Sequence, residues 1–240
     1  REFYRTYYVP NNATLALVGD FDADEAIALA RRYLGQVPRS RPVPRERPVE
    51  PPQTTLRRVT LHENWPLPVI VVAHHIPPDR HADSFPLRLA AKVLSDGQSS
   101  RIYRSLVYEK GHALSAFGTA NIAEDPNLFF AVAVVQPGRD LDETERALVA
   151  ELERLAGEAV SEGELARARN QLARDHVVGR ASNQEKATHL AHAVVIHGDA
   201  ASADREFDSL MEATAADVQR AARAYFTPAN RLILRMLPPS

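Results

Sequence analysis

The stretch Asp96 to Thr119, DGQSSRIYRSLVYEKGHALSAFGT, decides how the chain folds. Ahead of it, Leu87, Leu89, Ala90, Val93 and Leu94 recur at the spacing of an amphipathic helix, which Gly97 breaks. Ile102, Tyr103, Leu106 and Val107 then give a second helical turn, and from Ala113 onward the pattern alternates as a strand does.

Working outward, Thr55 to Glu63 alternates and Val69 to Ile76 is a more continuous apolar strand, so the two are expected to pair. Pro77 and Pro78 end that strand and lead into a helix at Ser84 to Leu94. On the other side, Ala113 to Ile122 and Leu128 to Val135 read as strands separated by the turn Glu124 to Asn127. Three helices come next, over Leu141 to Val160, Ser161 to Gly179 and Asn183 to Ile196. Ser161 and Glu164 stand in capping-box positions at the start of the second. A shorter helix at Thr214 to Tyr225, with Thr214 as N-cap and Asp217 at N3, leads into a last strand at Leu232 to Leu234. Strands followed by a run of helices predict an α+β fold, an antiparallel sheet with helices packed on one face.

The two ends of the chain resemble each other. Arg5-Thr6-Tyr7-Tyr8-Val9-Pro10-Asn11-Asn12 precedes Thr14-Leu15-Ala16 just as Arg223-Ala224-Tyr225-Phe226-Thr227-Pro228-Ala229-Asn230 precedes Leu232-Ile233-Leu234, at one constant offset. So long a period argues for a duplicated domain rather than a solenoid. Arg1 to Tyr8 reads as the end of a helix, Thr14 to Val18 as a strand, and Asp22 as the N-cap of a helix ending at Gly35. Gln36 to Pro52 is proline-rich, with arginine and glutamate between the prolines, and reads as a semi-rigid spacer. The expected organisation is therefore residues 1–35 as the tail of an upstream homologous half-domain, 36–54 as linker and 55–240 as the main domain.

Charge and composition exclude several classes. A net charge of −2 gives no electrostatic footprint for nucleic acid or an anionic membrane. Without cysteine there is no disulfide scaffold and no thiolate metal site. No apolar run approaches the roughly 20 residues of a membrane span. Only Lys92, Lys110 and Lys186 among the 29 basic residues are lysine, a bias that suits a GC-rich bacterial genome.

Several candidate sites dissolve on inspection. Glu185, His189 and His192 lie on one face of a helix, but three residues at i, i+4 and i+7 span about 10 Å and cannot all reach one ion. His74 and His75 alternate across a strand and point to opposite sides. Asp142 and Glu143 sit at a helix start, where acids complement the helix dipole. The chain has no G-x-S-x-G elbow, P-loop or G-x-G-x-x-G.

The wording S-S-R-I-Y-x-x-L-V-x-E-x-x-x-A-x-S-A, from Ser99 to Ala116, resembles the C-terminal half-domains of the insulinase/pitrilysin-type zinc metallopeptidases, whose catalytic motif is H-x-x-E-H. That motif is absent here. The resemblance places it in a first half-domain, upstream, so zinc is expected in the full-length protein and no cofactor in this part. It further implies a clamshell of two halves that encloses an unfolded peptide, a possible homologous partner subunit, and a bacterial location with the periplasm favoured and the cytoplasm possible. Many members carry an arginine and a tyrosine in L-R-E-K-x-G-x-A-Y-S that hold the substrate carbonyl. Here Leu106, Gly111, Ala113 and Ser115 fit, while Val107 and Leu114 occupy the arginine and tyrosine positions, and neither donates a hydrogen bond. Either the chain belongs to a catalytically dead scaffold, or a partner supplies the missing groups. Arg101, Tyr103, Arg104 and Tyr108 are the nearby candidates for substrate contact. Against that role, Arg101 suits a bridge across the kinked helix and Tyr103 suits packing.

Overall fold

The computed structural model describes residues 1–45 and 49–239. Of the proline-rich stretch, residues 46–48 lie outside the described residues. The chain forms two compact units, Arg1–Pro51 with Val177–Arg205, and Pro52–His176 with Glu206–Ser240.

The larger unit is built on a five-stranded sheet of β1 (Arg57–His62), β2 (Val69–Ile76), β3 (Ala113–Ala120), β4 (Asn127–Val135) and β5 (Arg231–Leu237). The spatial order is β1-β5-β2-β4-β3. All pairs are antiparallel except β1 with β5. The α+β class holds, but β1 and β2 do not pair as expected, because β5 is inserted between them. In the register, Val71 and Val72 of β2 lie opposite Leu234 and Ile233 of β5, while Val59 of β1 lies opposite Leu234 from the other side. An apolar β5 with a partner on each side satisfies both of its backbone edges; a direct β1–β2 pair would leave one open.

Alternation then divides the sheet. Ile70, Val72 and Ile76 of β2 and Phe129, Ala131, Ala133 and Val135 of β4 are fully buried in the core. They pack with Leu87, Leu89, Ala90, Val93 and Leu94 of α3 (Ser84–Ser95), Leu148, Leu152 and Leu155 of α4 (Leu141–Gly157), and Val218, Ala221 and Ala222 of α8 (Ala215–Tyr225). The alternate residues Val71, Phe130, Val132 and Val134 face the opposite side and are only half-buried.

Three starts are set by their caps. Asp22 accepts from the Glu25 amide at 2.8 Å before α2 (Ala23–Leu34), Ser161 and Glu164 bond reciprocally before α5 (Glu162–Val178), and Thr214 and Asp217 do so before α8. The helix expected over Asn183 to Ile196 is α6 (Asn183–His192) continued by a π-helical turn, Ala193–His197. A helix not foreseen, α7 (Ser202–Glu212), comes after it.

In the smaller unit, α1 (Glu2–Tyr7) leads through a 3-10 turn, Pro10–Asn12, into an extended segment. The strand expected at Thr14 to Val18 has no ladder partner among the described residues, and Leu15 and Leu17 are exposed. Extended backbone becomes a strand only beside another edge.

The turn itself repeats the one before β5. Asn12 Nδ2 donates to the Tyr7 carbonyl at 2.9 Å, and Asn230 Nδ2 to the Tyr225 carbonyl at 2.9 Å. The Tyr8 amide donates to Tyr4 (3.0 Å) as that of Phe226 does to Ala222 (2.9 Å), and the Ala13 amide to Pro10 (3.2 Å) as that of Arg231 does to Pro228 (3.3 Å).

Candidate functional site

The deciding stretch folds into two backbone irregularities. Tyr103–Glu109 is a π-helical turn, closed by the Lys110 amide donating to the Ser105 carbonyl at 3.1 Å. After Gly111, in the left-handed region at φ 58°, β3 begins with a bulge: Ala113 lies opposite Val135 and Ser115 opposite Val134, which leaves Leu114 as the extra residue. Both kinds of irregularity recur near functional sites because they re-aim side chains. Here they carry Val107 and Leu114. Val107 packs against the core, and Leu114 is exposed at the bulge.

The four nearby candidates separate. Arg101 is buried and grips Glu164 of α5 through Nε at 2.7 Å and Nη2 at 2.9 Å. It ties the kinked helix to α5. The Arg101 guanidinium, first of all, and the Ser161 amide and hydroxyl hold the Glu164 carboxyl down at about 2, against burial that opposes them. Arg104 pairs with Glu109 at 2.7 Å in an exposed position. Tyr103 is half-buried, and Tyr108 is 84% exposed.

Arg101 and Arg104 line one cavity of about 230 Å³ together with Ser99, Ser105, Glu109, Arg154 and Glu164. Tyr103 and Tyr108 are not among its lining residues. Sequence reasoning missed Arg154 and Glu164, because α4 and α5 deliver them from more than forty residues away. Arg154 is anchored by Glu151 at 3.2 Å and Glu158 at 3.3 Å.

Glu185, His189 and His192 do not act together as one ligand set. The His189 ring meets the Arg180 guanidinium, and Glu185 is engaged in the capping box of Ser182. A cation against the imidazole opposes the binding of another cation. His74 is buried and held down to about 3, by burial first and by Arg231 second; its Nε2 accepts from Arg231 Nε at 3.4 Å. That geometry is structural, since the Arg231 guanidinium occupies the Nε2 lone pair that a metal ion would need.

Residues 1–172 match the family model described as the peptidase M16 inactive domain. The zinc protease PqqE of Helicobacter pylori is 24% identical over 231 residues, covering 94% of this chain and 51% of that protein. The chain spans about half the length of the curated relatives it matches. Among solved structures, a protease from Helicobacter pylori superposes with a TM-score of 0.91 at 22% identity, covering 99% of this chain and 58% of the other. The inactive peptidase domain of a Bordetella parapertussis protein is 31% identical, with a TM-score of 0.66, covering 75% of this chain and 95% of the other.

Proposed function

The chain belongs to the peptidase M16 inactive-domain family, and from that membership we propose that it serves as the non-catalytic C-terminal domain of a bacterial zinc metallopeptidase acting on unfolded peptides. The zinc site, on this reading, lies in an upstream half-domain that carries H-x-x-E-H, and the present domain forms one wall of the substrate chamber. The half-buried apolar face of the sheet suits that wall, since an unfolded peptide offers apolar side chains and free backbone groups.

One observation carries the pairing: the turn of Tyr7 to Ala13 reproduces the hydrogen bonds of the turn before β5, yet its extended segment has no sheet among the described residues. Residues 1–35 are therefore assigned to the upstream half, 36–54 to the linker and 55–240 to the C-terminal domain. Val107 and Leu114 favour supply of the carbonyl-holding arginine and tyrosine by a homologous partner subunit. No helix among the described residues is long and apolar enough to cross a membrane, and the family resemblance supports a periplasmic placement.

The test is zinc content and cleavage of an unfolded protein by the full-length product, alone and mixed with a homologous subunit. Bound zinc, with cleavage in the mixture, is the expected result. A full-length chain without zinc and without cleavage in either case makes the protein a scaffold. Zinc-dependent proteolysis by residues 1–240 alone overturns the reading as well.

A further inference from the structure

The cavity beneath the π-helical turn has an excess of hydrogen-bond donors. Its lining holds three guanidinium groups, of Arg101, Arg104 and Arg154, against two carboxylates, of Glu109 and Glu164. Both carboxylates are already engaged. Glu164 Oε1 accepts from Arg101 Nε, and its Oε2 accepts from Arg101 Nη2 and from the Ser161 amide and hydroxyl. Glu109 accepts from Arg104. The donors are not exhausted in return. Arg101 is only 6% exposed, and its Nη1 is buried with no hydrogen-bond partner. Arg104 uses only its Nε on Glu109, and Arg154 lies at ion-pair distance from Glu158 (3.3 Å) and from Glu151 (3.2 Å), whose Oε2 is itself buried without a hydrogen-bond partner; both guanidiniums keep further N–H groups. Ser99 and Ser105 add two hydroxyls.

A buried guanidinium nitrogen without an acceptor is costly, and the ligand that relieves it brings acceptor oxygens of its own. The planar guanidinium fork matches carboxylate and phosphate geometry alike, and a peptide supplies the carboxylate. We propose that this cavity is a carboxylate-binding subsite for the peptide, filled by an acidic side chain or by the C-terminal carboxylate. The assignment rests on the peptide-binding role stated above. Arg101 forms the floor of the subsite, and Arg104 and Arg154 form its rim, where their side chains are 68% and 43% exposed. Arg104, Ser105 and Glu109 place the subsite on the same π-helical turn that carries Val107.

The test uses residues 1–240 and three capped tripeptides, followed by calorimetry and by the arginine Nε–H signals in nuclear magnetic resonance. One peptide is Ala-Glu-Ala with both ends blocked, one is Ala-Ala-Ala with a free C-terminal carboxylate, and the neutral control is blocked Ala-Gln-Ala. At least one carboxylate peptide is expected to bind about tenfold more tightly than the control, with the Arg101 signal shifted. Which of the two binds more tightly identifies the source of the carboxylate.

Arg104→Ala and Arg154→Ala are chosen because each removes an exposed rim group and leaves the Arg101–Glu164 pair intact. Each is expected to weaken binding by about fivefold with an unchanged circular dichroism spectrum. Equal binding of acidic and neutral peptides, or unaltered binding in both variants, overturns the proposal. So does tighter binding of inorganic phosphate than of either carboxylate peptide. These outcomes leave the pairing of half-domains untouched, because that reading stands or falls on zinc and cleavage in the full-length protein.

Discussion

The turn before β5 and the turn after α1 have the same local structure and opposite surroundings. Phe226 is 3% exposed, whereas Tyr8, its counterpart, is 68% exposed; Ile233 is 2% exposed and Leu15 is 59%. The same set of local bonds forms in both places. Helix end, proline and asparagine are thus enough to shape the turn, and the sheet is needed only to bury the apolar residues beyond it. Local structure and stability come from different parts of the sequence here.

The largest break in that comparison is expected at the aromatic position. The Phe226 ring lies 4.6 Å from Phe129 and 5.2 Å from His74, inside the core. Phe226→Ala should destabilise residues 1–240 by about 3–5 kcal/mol, the range for emptying a large buried aromatic site. Tyr8→Ala should fall within about 0.5 kcal/mol of the parent, as exposed substitutions do. Urea unfolding of both variants measures the difference. In the full-length protein the Tyr8 variant should become costly as well; an unchanged midpoint there argues against an upstream sheet.

The asparagines give the next contrast. Asn230 donates to the carbonyls of both His75 and Tyr225, tying β2 to the end of α8, while Asn12 donates to Tyr7 within its own turn and accepts from the exposed Arg45 at 3.4 Å. Asn230→Ala should cost about 1–3 kcal/mol, because two carbonyls lose a partner in a half-buried place. Asn12→Ala should cost well under half as much, measured in the same denaturation series.

Acid should separate the two turns further. His74 sits beside Phe226 with its folded value depressed to about 3 from 6.5. Below 6.5 the unfolded chain binds a proton that the folded chain refuses, so stability declines as pH falls from 6.5 toward 3. Glu164, held at about 2 against 4.5, adds stability present above 4.5 that is lost as pH falls toward 2. Replacing His74 with Gln should flatten the upper part of that decline in a pH series of thermal midpoints. An unchanged slope assigns the loss elsewhere.

Legibility in the sequence obeys the same division. Asp22, Ser161 and Thr214 announce their helices because a cap is a contact between residues three apart. The insertion of β5 between β1 and β2 is not announced, because it depends on register with residues about 170 positions away. The π-helical turn and the Leu114 bulge were likewise hidden, since both adjust a local pattern to tertiary neighbours. At the candidate site, Arg101 and Arg104 stood out through the motif around them. Arg154 did not, because nothing near it in sequence says which cavity α4 will overlook.

The smallest and most discriminating contrast is the arginine one turn ahead of the proline. Arg223 Nε donates to the Ala156 carbonyl at 2.8 Å, in the last turn of α4, where carbonyls have no partner within their own helix. Arg223→Ala should therefore cost about 0.5–1.5 kcal/mol, one hydrogen bond to a helix end. Arg5 stands at the corresponding place, in an α1 that buries none of its residues, so Arg5→Ala should leave the stability of residues 1–240 unchanged. If the upstream half has a helix placed like α4, Arg5 meets its last turn, and the same substitution should lower the unfolding midpoint of the full-length protein by an amount matching Arg223→Ala. Equal indifference to Arg5→Ala in both contexts would mean that the two turns share a shape and not a partner.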